Sequence, residues 1–309
     1  MLKKQIIILL VALMLLTPSM AFALTMPQSG NELAELVGIS ARAYVVIDAE
    51  TGDVLISKNA DASWTAASLT KLVTALVVLD SKTKLTKRVI MTQQDQIAGG
   101  CSAGGACIAS KPGVAFTVDG LFHAALMPSA NNAANALSRS IGLTPAQFVK
   151  KMNEKAKELG ATSSHFNEPT GMDPANKITA LDYAKIVKAT FSNSYLRSIG
   201  GLTKYSLRST NNTKYNQTIK NTNKLLGDAD INILGAKTGY LNESFYNFAS
   251  LLTYRNGQKL SIVVLGEKRL ASAFAETKML ATLAESARFL GFRVGPVVLG
   301  TSTVVSMSN

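Results

Sequence analysis

Apolar and polar positions divide this chain into strand-like ends and a helical middle. Arg42 to Asp48 is apolar and rich in β-branched residues, Ala49-Glu50-Thr51-Gly52 carries turn residues, and Asp53 to Ser57 resumes the strand pattern, which predicts a hairpin. From roughly Ser68 to Ser198 the spacing turns helical. Within that block, Thr144-Pro145-Ala146-Gln147 forms a capping box with Pro at the first helical position. Phe148, Met152, Ala156 and Leu159 follow on one face, and Gly160 stops the helix. Thr179 with Asp182 opens another helix. Glu243 to Tyr254 and Lys259 to Leu265 predict a second strand pair, joined through Asn256-Gly257 as the turn. A last amphipathic helix is expected from about Ala273 to Leu290, stopping at Gly291. Strands at both ends with helices between predict an α/β fold of the α+β type. It is an antiparallel sheet flanked by helices, with a helical region inserted between the N- and C-terminal strands.

The first residues follow another pattern. Lys3 and Lys4 precede the apolar run Ile6 to Leu16, Pro18 breaks it, and Ala21-Phe22-Ala23 offers small residues at a cleavage triplet. That reads as a signal peptide over residues 1–23. The run is shorter than the ~20 residues that a bilayer crossing takes. Export places the protein in the periplasm or outside the cell. Residues 24–296 are expected to form one domain and 297–309 a short tail. The tail has no Lys or Arg and so lacks the basic face of an interfacial helix, and no stable membrane anchor is expected after signal removal.

Composition narrows the function classes. A 309-residue chain that is 47% hydrophobic and 17% charged is not globally disordered. Its net charge of +12 is spread along the chain without a long basic run, which fits an anionic wall polymer and gives no reason to expect a nucleic-acid partner. Two His, 123 and 165, leave little material for a metal centre, and no metal or organic cofactor is implied. Cys101 and Cys107 lie in the Gly-rich stretch Ala98 to Gly113. In an oxidising compartment a local disulfide is expected over two free thiols, stapling a loop and carrying no chemistry.

The chemistry begins at Ala67-Ser68-Leu69-Thr70-Lys71. Ser68 and Lys71 are three apart at the start of a helical pattern, so hydroxyl and amine can meet. A Ser needs a base to become a nucleophile, and Lys is that base only when burial or a nearby cation lowers its pKa. An N-capping Ser beside a solvated Lys has the same spacing, as Ser81 and Lys84 show in a polar stretch. Two further pieces decide the matter. In Pro128-Ser129-Ala130-Asn131, Pro128 interrupts two helical stretches and puts Ser129 and Asn131 on a tight connection. In Ala236-Lys237-Thr238-Gly239, Lys237 supplies a fixed positive charge and Thr238 a hydroxyl donor, and Gly239 permits close approach of a substrate to a strand.

The ordered set Ser-x-x-Lys, Ser-x-Asn, Lys-Thr-Gly resembles that of the penicillin-recognising serine enzymes, and most of all the D-Ala-D-Ala carboxypeptidase family, the low-molecular-mass penicillin-binding proteins. Asp48 to Gly52, Lys111-Pro112-Gly113 and Glu168-Pro169-Thr170-Gly171-Met172 extend the resemblance over about Ala43 to Phe292. The length and the Phe148-to-Gly160 stretch are similar to the short D-Ala-D-Ala endopeptidases. The resemblance implies a β-lactamase/transpeptidase-like fold. It also implies stem peptides ending in D-Ala-D-Ala as substrate and β-lactams as covalent inhibitors. By the same resemblance Ser68 is the acylated nucleophile, Lys71 the proton acceptor and Ser129 the shuttle toward the leaving amine. Asn131 contacts the substrate amide and Lys71, and Lys237 and Thr238 bind the terminal carboxylate. The oxyanion hole draws on the backbone N–H of Ser68 and one from the strand after Gly239. Carboxypeptidase activity is the expected function and cross-link endopeptidase the alternative.

The chain departs from the family pattern at Ala66, usually Pro, at Asn132, usually Asp, and at Glu243-Ser244, usually Ala-Gly. Ala273 stands where an Arg commonly opens the last helix, with Arg269 nearby. Three other readings are weaker. Gly100-Cys101-Ser102-Ala103-Gly104 spells a nucleophile elbow but sits in a Gly-rich loop, and neither His serves it. A class A β-lactamase needs Ser-Asp-Asn and a deacylating Glu, whereas Glu168 sits in a carboxypeptidase-like context. A catalytically silent β-lactam- or wall-binding module does not need three intact motifs.

Overall fold

The structure is a computed structural model that describes residues 29–289. The expected signal peptide, the 297–309 tail and the end of the last helix lie outside the described residues. The described residues open with α1 (Gly30–Leu36), then the hairpin β1 (Ala43–Asp48) and β2 (Val54–Lys58). Asp48 closes the hairpin turn by accepting from the backbone N–H of Glu50 at 2.8 Å. Next come β3 (Trp64–Thr65), a 3-10 turn (Ala67–Thr70), α2 (Lys71–Asp80), β4 (Arg88–Ile90) and α3 (Gln93–Ala98). The middle holds β5 (Ala115–Thr117), α4 (Val118–Leu126), α5 (Asn131–Arg139), α6 (Pro145–Glu158), β6 (Lys177–Ile178), α7 (Ala180–Ser192) and α8 (Ser194–Gly200). After β7 (Lys204–Leu207) and β8 (Gln217–Lys220), the long strands β9 (Ile231–Leu241), β10 (Phe245–Tyr254) and β11 (Lys259–Glu267) lead to α9 (Leu270–Phe289).

One five-stranded sheet, ordered β2-β1-β11-β10-β9 with every pairing antiparallel, joins the early hairpin to the late strands. Its inner strands are buried on both faces. On β1, Ala43, Val45 and Ile47 join the core beneath the helical region, while Tyr44 and Val46 join the core under α1 and α9. On β11, Val263 and Leu265 face the first core and Leu260, Ile262 and Val264 the second. Both alternating sets are apolar, so these strands read as continuous hydrophobic runs.

The helical block is less continuous than its spacing predicts, because strands of the short pairs β3–β6 and β4–β5 fall within it. The capping boxes behave as read: Thr144 caps α6 with Gln147 reciprocating, and Thr179 caps α7 through the backbone N–H of Asp182. Two boundaries shift. The strand expected from Glu243 starts at Phe245, since Asn242 to Ser244 form the β9–β10 turn and Ser244 Oγ accepts from the backbone N–H of Leu241 at 3.1 Å. The last helix starts at Leu270, with Ala273 N–H donating to the Arg269 carbonyl. Strand β9 is one edge of the sheet, and its open side faces the 3-10 turn.

Candidate active site

Ser68 sits in the 3-10 turn, one residue after Ala67, whose φ of +48° lies in the left-handed region. Such a conformation costs an alanine about 1–2 kcal/mol, so the surroundings must impose it. Asn247 Nδ2 donates to the Thr65 carbonyl at 3.0 Å, Ala66 N–H to the Asn176 carbonyl at 2.9 Å, and the Tyr183 hydroxyl to the Leu69 carbonyl. Two glycines complete the clamp. A Cβ on Gly171 would stand 1.8 Å from the Ala67 carbonyl oxygen, and one on Gly239 would stand 3.2 Å from that of Ala66. Gly239 therefore sits close against the nucleophile turn, and it also lines the cleft described below.

Lys71, the first residue of α2, is fully buried. Its Nζ lies 2.8 Å from Ser68 Oγ, 2.7 Å from Asn131 Oδ1 and 2.6 Å from the Thr170 carbonyl. The last two are obligate acceptors. A neutral amine that donates to both has only its lone pair left, and that lone pair faces the Ser68 hydroxyl. Burial pulls the Lys71 pKa down to about 7, with the Glu168 carboxylate opposing. Ser81 and Lys84, with the same spacing, are exposed, and Ser81 Oγ bonds locally to the Val78 carbonyl and to Thr83.

Ser129 follows α4 with φ +67°, and its buried Oγ has no hydrogen-bond partner among the described residues. A left-handed backbone at a non-glycine residue is strain of the kind that gathers at functional sites. Asn131 opens α5 and spends its Nδ2 on the Gly99 carbonyl at 3.1 Å. Thr238 Oγ1 lies 2.7 Å from Thr222 Oγ1, and Thr222 N–H donates to the Met127 carbonyl at 3.0 Å, which ties β9 to the Ser129 loop. Lys237 is buried behind this wall, its Nζ donating to the Thr238 carbonyl at 2.9 Å. Burial, and after it the Lys71 charge, push its pKa well below the ordinary lysine value.

These groups border a cleft of about 590 Å³ lined by Ser68, Ser129, Asn131, Thr222, Thr238 and Gly239. The rim beyond Gly239 is Tyr240 to Glu243, so the departure at Glu243 borders the cleft. Cys101 and Cys107 are joined in a disulfide with Cα atoms 5.7 Å apart, and residues 103–106 of its loop form a cleft wall. The loop thus does more than staple. Arg269 lies outside the cleft, lining a separate cavity with Arg42, Lys58 and Lys268, and Ala273 is buried in the second core.

Three residues of the arrangement lie outside the three catalytic motifs. Thr222 is the first. Glu168 is the second: its carboxylate accepts from Thr170 N–H at 2.7 Å, Thr170 Oγ1 at 2.6 Å, Asn176 Nδ2 at 2.9 Å and Gly171 N–H, which shapes the loop over Lys71. So saturated a carboxylate has the form of a loop organiser, not of a water-activating base. Asn176 is the third, donating also to Thr70 Oγ1 at 3.1 Å. His123 is buried and stacked on Tyr205 with ring centroids 3.7 Å apart, while His165 is exposed on a β-bridge to Lys177. Ser102 lies in a 3-10 turn, not between a strand and a helix.

Residues 30–269 match the D-alanyl-D-alanine carboxypeptidase family. The D-alanyl-D-alanine endopeptidase of Haemophilus influenzae is 32% identical over 244 residues, which is 77% of this chain and 80% of that protein. The D-alanyl-D-alanine carboxypeptidase DacF of Bacillus subtilis is 31% identical over 84% of this chain, which spans 66% of that protein's length. A mutant of the Streptomyces K15 DD-transpeptidase superposes with a TM-score of 0.74 at 27% identity, covering 80% of this chain and 98% of that one. The D-alanyl-D-alanine carboxypeptidase of Mycobacterium tuberculosis H37Rv gives 0.69 at 29% identity, over 83% of this chain and 92% of that one.

Proposed function

Because this chain belongs to the D-alanyl-D-alanine carboxypeptidase family, we propose that it hydrolyses D-Ala-D-Ala bonds of peptidoglycan stem peptides through an acyl-enzyme on Ser68. The observation that carries this reading is the set of contacts around Lys71 Nζ, two carbonyl acceptors and the Ser68 hydroxyl. Neutral Lys71 takes the Ser68 proton as Oγ attacks the penultimate D-Ala carbonyl. The backbone N–H groups of Ser68 and Tyr240 receive the developing oxyanion. The C–N bond breaks, Ser129 passes a proton to the departing D-Ala amine, and water then hydrolyses the ester. Thr238 Oγ1 meets the terminal carboxylate, whose charge favours protonated Lys237 behind it. β-Lactams acylate the same Ser68.

Cross-link cleavage is the second reading, supported by the Haemophilus endopeptidase of matching length. In a cross-linked dimer the D,D-bond also has a free carboxylate nearby, so Thr238 and Lys237 serve both reactions. Members of the family work in the cell envelope, and the basic chain suits an anionic wall. We read the chain as exported through its first 23 residues. Among the described residues no helix is long and apolar enough to cross a membrane. The test supplies purified protein with a stem pentapeptide and with a cross-linked dimer, and follows both by mass spectrometry. D-Ala release from the pentapeptide is expected, cleavage of the dimer alone would reverse the order of the two readings, and turnover of neither would defeat both.

A further inference from the structure

Asn131 touches the disulfide loop at both of its ends. Its backbone N–H donates to the Ala106 carbonyl at 2.6 Å, one residue before Cys107, and its Nδ2 donates to the Gly99 carbonyl at 3.1 Å, two residues before Cys101. The remaining polar atom of its side chain, Oδ1, is the acceptor of Lys71 Nζ. Asn132 grips the outgoing strand of the loop: Oδ1 accepts from Ile108 N–H at 3.1 Å, and Nδ2 donates to the Ile108 carbonyl at 3.0 Å. Packing leaves little slack, since a Cβ on Gly99 would lie 2.9 Å from the Asn132 backbone nitrogen and one on Gly105 2.4 Å from the Gly99 carbonyl. Within the loop, Ala103 and Gly105 N–H both donate to the Gly100 carbonyl, and Gly100 and Gly104 have φ of +63° and +83°. Beyond those bonds, the cross-link between Cys101 and Cys107 sets the separation of its ends.

We propose that the Cys101–Cys107 disulfide and Asn132 are positioning groups for the reaction: together they hold the loop's two carbonyls on Asn131, and so hold Asn131 Oδ1 on Lys71, which makes acylation depend on the oxidised state of this cystine. The proposal rests on the reading of Ser68 and Lys71 given above. Reduction by a dithiol transfers two electrons and two protons, breaks the S–S bond, and leaves thiols on Cys101 and Cys107 while the reductant closes its own disulfide. The freed ends separate, the Gly99 and Ala106 carbonyls no longer meet Asn131 together, and the cleft wall formed by residues 103–106 loosens. Water then reaches Lys71. The other polar and charged groups facing Lys71 are Ser68 on its turn, Thr170 and Glu168 on their loop, and Lys237 on β9, and none of them replaces the lost wall.

The test measures acylation by a fluorescent penicillin on the full chain, oxidised, dithiol-reduced and reoxidised, and on the Cys101→Ser/Cys107→Ser and Asn132→Ala variants. Both the rate and the fraction of molecules finally labelled are read at several pH values. Reduction is expected to slow acylation about tenfold or more, on the scale of a sub-ångström to ångström misplacement. The labelled fraction stays near that of the oxidised protein, the pH midpoint moves alkaline as Lys71 is hydrated, and reoxidation restores both. The double Ser variant should match the reduced protein, and Asn132→Ala should shift rate and midpoint in the same direction with its disulfide intact. An unchanged rate and midpoint on reduction overturns the proposal. So does a fall in labelled fraction with an unchanged rate, because the cystine then serves folding alone. Labelling of the oxidised protein on the Ser68 peptide tests the underlying reading separately.

Discussion

Gly171→Ala places the strongest steric load on the nucleophile without touching a reacting atom. The new Cβ meets the Ala67 carbonyl oxygen at 1.8 Å and the Ser68 backbone nitrogen at 2.9 Å, at a residue whose φ is +86°. The partner atoms are backbone, so no side chain can swing away. Left-handed strain adds about 1–2 kcal/mol. Overpacking adds about 1–3 kcal/mol, so a stability loss of roughly 2–5 kcal/mol is expected. The larger effect is on rate. Relieving the overlap moves the Ala67–Ser68 peptide by more than an ångström, and misplacement on that scale costs about 100-fold in a positioned reaction. The assay is second-order acylation by a fluorescent penicillin, corrected for folded protein by thermal unfolding. A loss of roughly 100-fold with most of the protein folded is expected. Acylation within a factor of a few of the parent would refute the claim that Gly171 is there to seat the nucleophile turn.

Other perturbations follow from the same contacts. Acylation should rise with pH through about 7, because Lys71 acts only when neutral, and stability should rise over the same window and above it, since the unfolded chain keeps its lysine protonated up to the ordinary value. A flat acylation profile across neutrality would contradict this. Lys71→Arg keeps the charge but cannot release a proton, so acylation should fall by ~100-fold or more. Glu168→Gln removes the charge that raises the Lys71 pKa, so the midpoint should move acidic, with a stability loss of about 1–3 kcal/mol from mispaired loop donors. Thr222→Val removes the hydroxyl beside Thr238 and should raise KM for carboxylate-terminated peptides more than it lowers kcat.

Much of the fold is legible in the sequence, because its boundaries carry local chemistry. The capping boxes, the Asp48 turn and the Asn256-Gly257 turn each bond within three residues of themselves. Strand β9 is harder to read, since Asn232, Gly235, Lys237 and Gly239 dilute its β-forming residues at a sheet edge. The site divides in the same way. Ser68 and Lys71 meet through helical spacing, but the Thr170 carbonyl on Lys71, the Asn176 bond to Thr70 and the Thr222–Thr238 pair join residues far apart in sequence. The disulfide loop illustrates the limit. Its cysteines advertise a staple, while its place in the cleft wall arises from Asn131 and Asn132, which only the folded chain brings against it.

The central claim is that Ser68 is the nucleophile acylated with Lys71 as its base. Intact-mass analysis of the protein after incubation with penicillin, followed by peptide mapping, tests it most directly. One adduct per molecule on the Ser68 peptide is expected, with none on the Ser68→Ala protein, whose thermal unfolding matches the parent. An adduct that persists in Ser68→Ala, or that maps to Ser129 or Ser102, would contradict the account.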